Sequence, residues 1–232
     1  DELGMTPLLW ASKRGFGDVV EVLLAFADDR KELISSSDAD GSSPLHHAAR
    51  KGHNDIVELL VRADATINAT NDDKSTPLHW AASHGHMRIA SLLMQGKNAW
   101  AVVNEQEDGK TPVHLAASHR HPELVRMMIE GAPKNVSAKL LLGMRDKLKR
   151  TPLFSACCVG NNAAVAAAVA IAAAIALAAE PATQAYGSSR RLQRLLFLLL
   201  LCFLLLMLLP DQQSTWHFTN TSAVAADSTA CH

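Results

Sequence analysis

A three-residue phrase returns five times along this chain: Thr6-Pro7-Leu8, Ser43-Pro44-Leu45, Thr76-Pro77-Leu78, Thr111-Pro112-Val113 and Thr151-Pro152-Leu153. Successive prolines stand 37, 33, 35 and 40 residues apart. Self-similarity at a period of ~33 residues marks a stacked array, in which each unit buries its apolar face only against its neighbours. A solenoid of this kind presents a surface along its length, so binding is a better first hypothesis than catalysis.

Alignment on the prolines gives the pattern a physical meaning. Four positions later stand Ala11, Ala48, Ala81, Ala116 and Ala156, small enough to let one helix lie close against the next. Eight positions later come Gly15, Gly52, Gly85, Arg120 and Gly160. A short helix stops there, and glycine accepts the left-handed conformation that stops it. Arg120 departs from the rule and implies a strained or adjusted turn. A second helix follows, with apolar residues at helical spacing, as in Ile56, Val57, Leu60 and Ile89, Leu92, Leu93. Each proline suits the first turn of the short helix, where its missing N–H is no loss. The Thr or Ser before it is placed to cap that helix.

The run Asp38-Ala39-Asp40-Gly41-Ser42-Ser43-Pro44-Leu45-His46-His47-Ala48-Ala49-Arg50-Lys51-Gly52-His53, continuing to Asn68-Ala69, closely resembles an ankyrin repeat. The resemblance extends over about 1–162, and as far as 179 in weakened form. It implies an all-α solenoid of about five helix-turn-helix repeats, with short β-hairpin fingers and a concave face. The expected organisation is an ankyrin repeat domain over 1–179, with repeats near 1–37, 38–70, 71–105, 106–145 and 146–179. The last repeat is degenerate. Asp1 occupies the repeat position of Asp38 and Asp146, and there is no initiator Met; this reads as a fragment lacking an upstream cap.

The formal net charge of −1 gives no support for nucleic-acid binding by bulk electrostatics. The four cysteines, Cys157, Cys158, Cys202 and Cys231, lie at no metal-ligand spacing, and reduced thiols in an intracellular, cytoplasmic protein are expected. Eleven histidines raise the question of a metal. Their placement answers it. His46, His79 and His114 fall two residues after the proline, where the family resemblance implies hydrogen bonds to neighbouring backbone. His53, His86 and His121 share a second position, opening the outer helix. Residues recurring once per repeat stand ~10 Å apart, too far to share an ion. No Gly-rich phosphate loop, nucleophile elbow or zinc-binding Cys pairing occurs. No enzyme, cofactor or metal is expected.

The resemblance places a partner protein on the finger tips and the exposed side of the inner helices. The tips carry Asp40 and the paired carboxylates Asp72-Asp73 and Glu107-Asp108, whose default role is solvation. The inner helices end in Lys13-Arg14, Arg50-Lys51, Ser83-His84 and Ser118-His119. Trp10, His47, Trp80 and Leu115 share one further inner-helix position. A tryptophan there is either a binding anchor or a cover for the seam between repeats, since aromatics serve both. Two long connections stand out, Asp28 to Ser37 and Pro133 to Gly143, and such insertions map to loops on one face.

After Gly160 the pattern fades. An alanine-rich stretch to Ala179 favours helix but buries little apolar area. A linker over 180–194 holds Arg190, Arg191 and Arg194, followed by an uninterrupted apolar segment, 195–209, and a polar tail, 210–232. Leu195 to Leu209 would span ~22 Å as a helix, short of the ~30 Å hydrocarbon core. Its composition nevertheless favours insertion, and the arginines would keep the repeats on the cytosolic side. A membrane anchor, a low-complexity tract and a gene-model artefact stand as alternative readings.

The expected function is a protein–protein interaction scaffold or adaptor, binding another protein through the concave face and finger tips. Two alternatives accompany it: an interaction module of a larger membrane-associated enzyme or channel, and an assembly chaperone.

Overall fold

In the computed structural model the residues described are 4–95, 108–132, 138–160, 163 and 165. The chain divides into two units, Asp1–Thr183 and Gln184–His232, and all the described residues belong to the first. The linker 180–194, the apolar segment 195–209, the tail 210–232, Glu107 and the cysteines Cys202 and Cys231 lie outside them.

The elements are helices α1 (Pro7–Arg14), α2 (Gly17–Phe26), α3 (Arg30–Ser35), α4 (Pro44–Lys51), α5 (Asn54–Arg62), α6 (Pro77–His84), α7 (Met87–Gln95), α8 (Pro112–Ser118), α9 (Pro122–Glu130), α10 (Ala138–Gly143) and α11 (Pro152–Cys158). The five proline-headed helices α1, α4, α6, α8 and α11 pack side by side in chain order. A second row, α2, α5, α7 and α9, packs alongside.

Local chemistry starts and stops each inner helix. Proline stands at its first turn and a Thr or Ser at its N-cap. In α4, α6 and α8 the cap is reciprocal, because the histidine at the third position reaches back to the cap's backbone N–H. Gly15, Gly52 and Gly85 end their helices at φ 84°, 82° and 74°. There the close approach of the next repeat matters as much as the conformation. A Cβ on Gly52 would stand 2.6 Å from His86 Cε1, and one on Gly85 2.6 Å from His121 Cε1.

Arg120 takes the same left-handed conformation, at φ 64°. Its guanidinium donates to the Val159 carbonyl through Nε and Nη2, at 3.1 and 2.7 Å. At the position where other repeats carry the histidine that covers this turn, the sequence here has Asn161. The exception therefore has a compensating contact with the next repeat.

The core runs continuously through the seam between the rows. Leu45, Ile56, Leu60, Ile89, Leu93, Leu124 and Met128 are all essentially inaccessible. Ala48, Ala81 and Ala116 are completely buried where inner helices touch. Val165 is buried against the same core. One end of the stack differs. Val19 of α2 is 47% exposed, whereas Ile56, Ile89 and Leu124, its counterparts, are at most 2% exposed. The later outer helices each pack on the one before; α2 has none before it among the described residues. Phe16 and Phe26 are exposed on the same helix.

Two expectations need correction. Among the described residues the fingers contain no strand. Each is a tight turn closed on itself: Asp38 N–H donates to the Ser42 carbonyl, Asn71 to Ser75 and Asp146 to Arg150, at 3.0–3.1 Å. The Asp or Asn side chain closes the same turn by accepting from Ser42, Ser75 or Arg150 N–H at 2.8 Å. Successive fingers meet through bonds such as Asp72 N–H to the Asp40 carbonyl and Lys147 N–H to the Asp108 carbonyl. No ladder is built, because the turn has consumed the groups a strand would offer. Nor are the two insertions plain loops. The first contains α3, capped by Asp29 and anchored by buried Ile34, and the second contains α10, anchored by buried Leu141. Pro133 to Ser137 lie outside the described residues.

Candidate protein-interaction surface

Three histidines of the inner helices, His46, His79 and His114, hold repeats together. His79 Nδ1 accepts from Thr76 N–H at 3.1 Å, which leaves Nε2 to carry the proton and donate to the Lys110 carbonyl of the next repeat at 3.2 Å. His46 and His114 repeat the arrangement, donating to the carbonyls of Ser75 and Arg150 at 2.9 and 3.0 Å. Burial holds His46 below its ordinary pKa despite the bond to Ser75, in keeping with a neutral ring. His86 and His121 make the outer-helix equivalent, to the carbonyls of Arg50 and Ser83 of the preceding repeat at 3.2 Å. Among the described residues no group of three or more His, Cys, Asp or Glu is placed to hold a metal ion.

The exposed side of the inner row is built on the shared position after the proline. Trp10 is 39% exposed, with Lys13 Nζ 5.7 Å and Arg14 Cζ 5.0 Å from its ring centre. Trp80, half-buried, carries the Arg50 guanidinium of the preceding repeat at 4.6 Å. These are cation–π distances. His84 lies 6.2 Å from the Trp80 ring and stacks on His86 at 5.9 Å. Leu115 at the same repeat position is buried. His47 is buried as well, donating from Nε2 to Asp38 at 2.9 Å. Burial pushes its pKa down against the pull of Asp38, so near neutral pH it is a neutral donor and the contact is a hydrogen bond more than an ion pair.

At the finger tips Asp40, Asp72, Asp73 and Asp108 are all exposed, and Asp108 pairs with Lys110 at 3.1 Å. The fifth finger is different. Asp146 is buried; burial alone would raise its pKa, but the Arg150 amide and guanidinium outweigh this and hold the carboxyl below its usual range. The four cations at the helix ends, Lys13, Arg14, Arg50 and Lys51, take part in no ion pair among the described residues. Sequence reasoning located these residues separately. It missed the stacking of Arg50 on the next repeat's Trp80, since the two are related only through the rotation between neighbouring repeats. A cleft of ≈ 350 Å³ between α3 and the turn after α5, lined in part by Lys31, Ile34, Ser43 and Asp64, also escaped it.

No helix of the described residues is long and apolar enough to cross a membrane. Cys157 and Cys158 are free and exposed.

Paired helices stacked at a fixed repeat, joined by self-closed finger turns and tied by histidines, define a helical solenoid of repeats. The family model for ankyrin repeats in three copies matches residues 1–71 and 64–139, and the chain belongs to the ankyrin repeat family. Ankyrin repeats are generally protein–protein interaction modules without catalytic activity. No curated protein matches the chain.

Proposed function

We propose that this chain is a five-repeat scaffold or adaptor that captures a partner protein on the concave side of α1, α4, α6 and α8 and on the adjoining finger tips, with no reaction of its own. One observation carries the reading. The finger backbone is spent on closing its turns and the imidazoles of His46, His79 and His114 on holding repeats together, whereas Trp10, Trp80, four cations and the aspartates Asp40, Asp72, Asp73 and Asp108 stand outward on that side. Exposed aromatic and arginine side chains on a rigid support are the usual anchors of an interface. An intracellular location belongs to the same reading, supported by the adjacent free thiols of Cys157 and Cys158.

The test is affinity capture from cell extract with the full chain and with a variant carrying Asp72→Lys, Asp73→Lys and Asp108→Lys together. These side chains are exposed, so the thermal unfolding midpoint should change little. The captured profile should lose its main components. An unchanged profile from a folded variant would overturn the reading.

A further inference from the structure

The cations and tryptophans of the exposed side form one connected row. Lys13 and Arg14 lie over Trp10, and Arg50 lies over Trp80 one repeat further on from its own helix. The buried His47 holds the same repeat position on α4, the helix packed between α1 and α6. His84 and His86 extend the row beyond Trp80. Asp38, the carboxylate bonded to His47, is already occupied by that imidazole and by the finger amides of Asp40 and Ser42. Cations at helix C-termini also suit the local dipole, which explains their presence but not their stacking on two tryptophans.

A guanidinium whose Cζ stands over an aromatic ring spends none of its N–H groups on that contact and keeps them for other partners. Its planar fork suits a bidentate bond to a carboxylate. Resting on the proposed concave-face reading, we propose that Lys13, Arg14, Arg50 and Lys51 receive an extended acidic segment of the partner protein. Packed helices stand ~10 Å apart, and an extended chain in the polyproline II conformation rises ~3.1 Å per residue with about three residues per turn, so carboxylates three residues apart share one face at about that spacing. Apolar residues between them meet Trp10 and Trp80. A nucleic acid is a poorer occupant. The chain's net charge is −1, and four cations are too few to offset the unbroken charge of a long polyanion, whereas a short segment with one carboxylate in three residues needs no more.

The probe is a fluorescein-labelled peptide, Glu-Leu-Leu-Glu-Leu-Leu-Glu, titrated with the full chain and read by anisotropy. It should bind, and binding should weaken at least about tenfold between low and high salt. The triple variant Lys13→Gln, Arg14→Gln, Arg50→Gln should weaken it at least about tenfold, whereas Arg126→Gln on α9 should leave it unchanged. A milder variant, Arg50→Lys, keeps the charge but not the fork and should fall between. The same peptide with Lys for Glu should not bind. Failure of the acidic peptide, equal loss with Arg126→Gln, or tighter binding of a short single-stranded oligonucleotide would each overturn the proposal. If the peptide fails while the finger-tip variant still loses its captured partner, acidic recognition falls and the concave-face reading stands. If neither responds, both fall.

Discussion

Lys74 and Arg120 occupy left-handed backbone at φ 57° and 64°, a conformation that costs a non-glycine residue about 1–2 kcal/mol. They carry that cost differently. Lys74 is exposed and sits at the finger position that Gly41 and Gly109 fill elsewhere, so Lys74→Gly should raise stability by about 0.5–1 kcal/mol after the extra chain entropy of glycine. Arg120→Gly should raise it by less, because the two bonds to the Val159 carbonyl are lost. Urea titration of both variants checks the ordering, and an equal gain would mean that the guanidinium contributes nothing. Ser12 is the converse case. Its hydroxyl is buried without a partner among the described residues, where the equivalent residues are Ala49, Ala82 and Ala117. Removing an unsatisfied buried oxygen should stabilise by about 1 kcal/mol, so Ser12→Ala should shift the urea midpoint upward. A downward shift would show that the hydroxyl is bonded after all.

At the scale of elements, the sequence made the paired helices legible because each carries its own start and stop chemistry. Pro112 with Thr111, or Pro44 with Gly52, can be recognised without any neighbour. The fingers and insertions were legible only in part. Asp38, Asn71 and Asp146 mark turns in sequence, but whether the flanking residues pair as strands depends on how many amides the turn leaves free. In α3 the buried anchor decides: Asp29 caps a six-residue helix that Ile34, with half-buried Leu33 beside it, pins to the core. Such a helix is too short to persist alone. Ile34→Ala should therefore cost about 2 kcal/mol and melt α3 locally. Hydrogen exchange should show loss of protection at residues 32–35 with the inner helices unaffected. Retained protection there would show that α3 is held by something other than Ile34.

For the whole array, burial ties stability to pH. His46, His47 and His86 all have pKa values lowered from 6.5, chiefly by burial. Between their folded values and 6.5 the unfolded chain binds more protons, so stability is greatest above that range and falls as pH drops through it. Asp146, held below its ordinary range by Arg150, adds a further loss at more acidic pH. The urea midpoint should accordingly be lower at about pH 5.5 than at about pH 7.5. A midpoint that rose on acidification would mean that these rings are better solvated than their burial indicates. The effect is spread over the stack, since His46 and His86 each join two repeats while His47 ties a finger to its own helix.

The recurring Thr/Ser-Pro-Leu phrase, read alone, determined the period, the paired helices, the alanine seams and the structural place of most histidines, because each is a local requirement repeated with every unit. Tertiary structure decided what depends on the relation between units. It placed Arg50 on Trp80, used the Val159 carbonyl to satisfy Arg120, buried His47 while leaving Trp10 open, and closed the fingers as turns. Neighbouring repeats are related by a packing geometry that no single repeat encodes, so residues about 30 or more positions apart meet only when the helices stack.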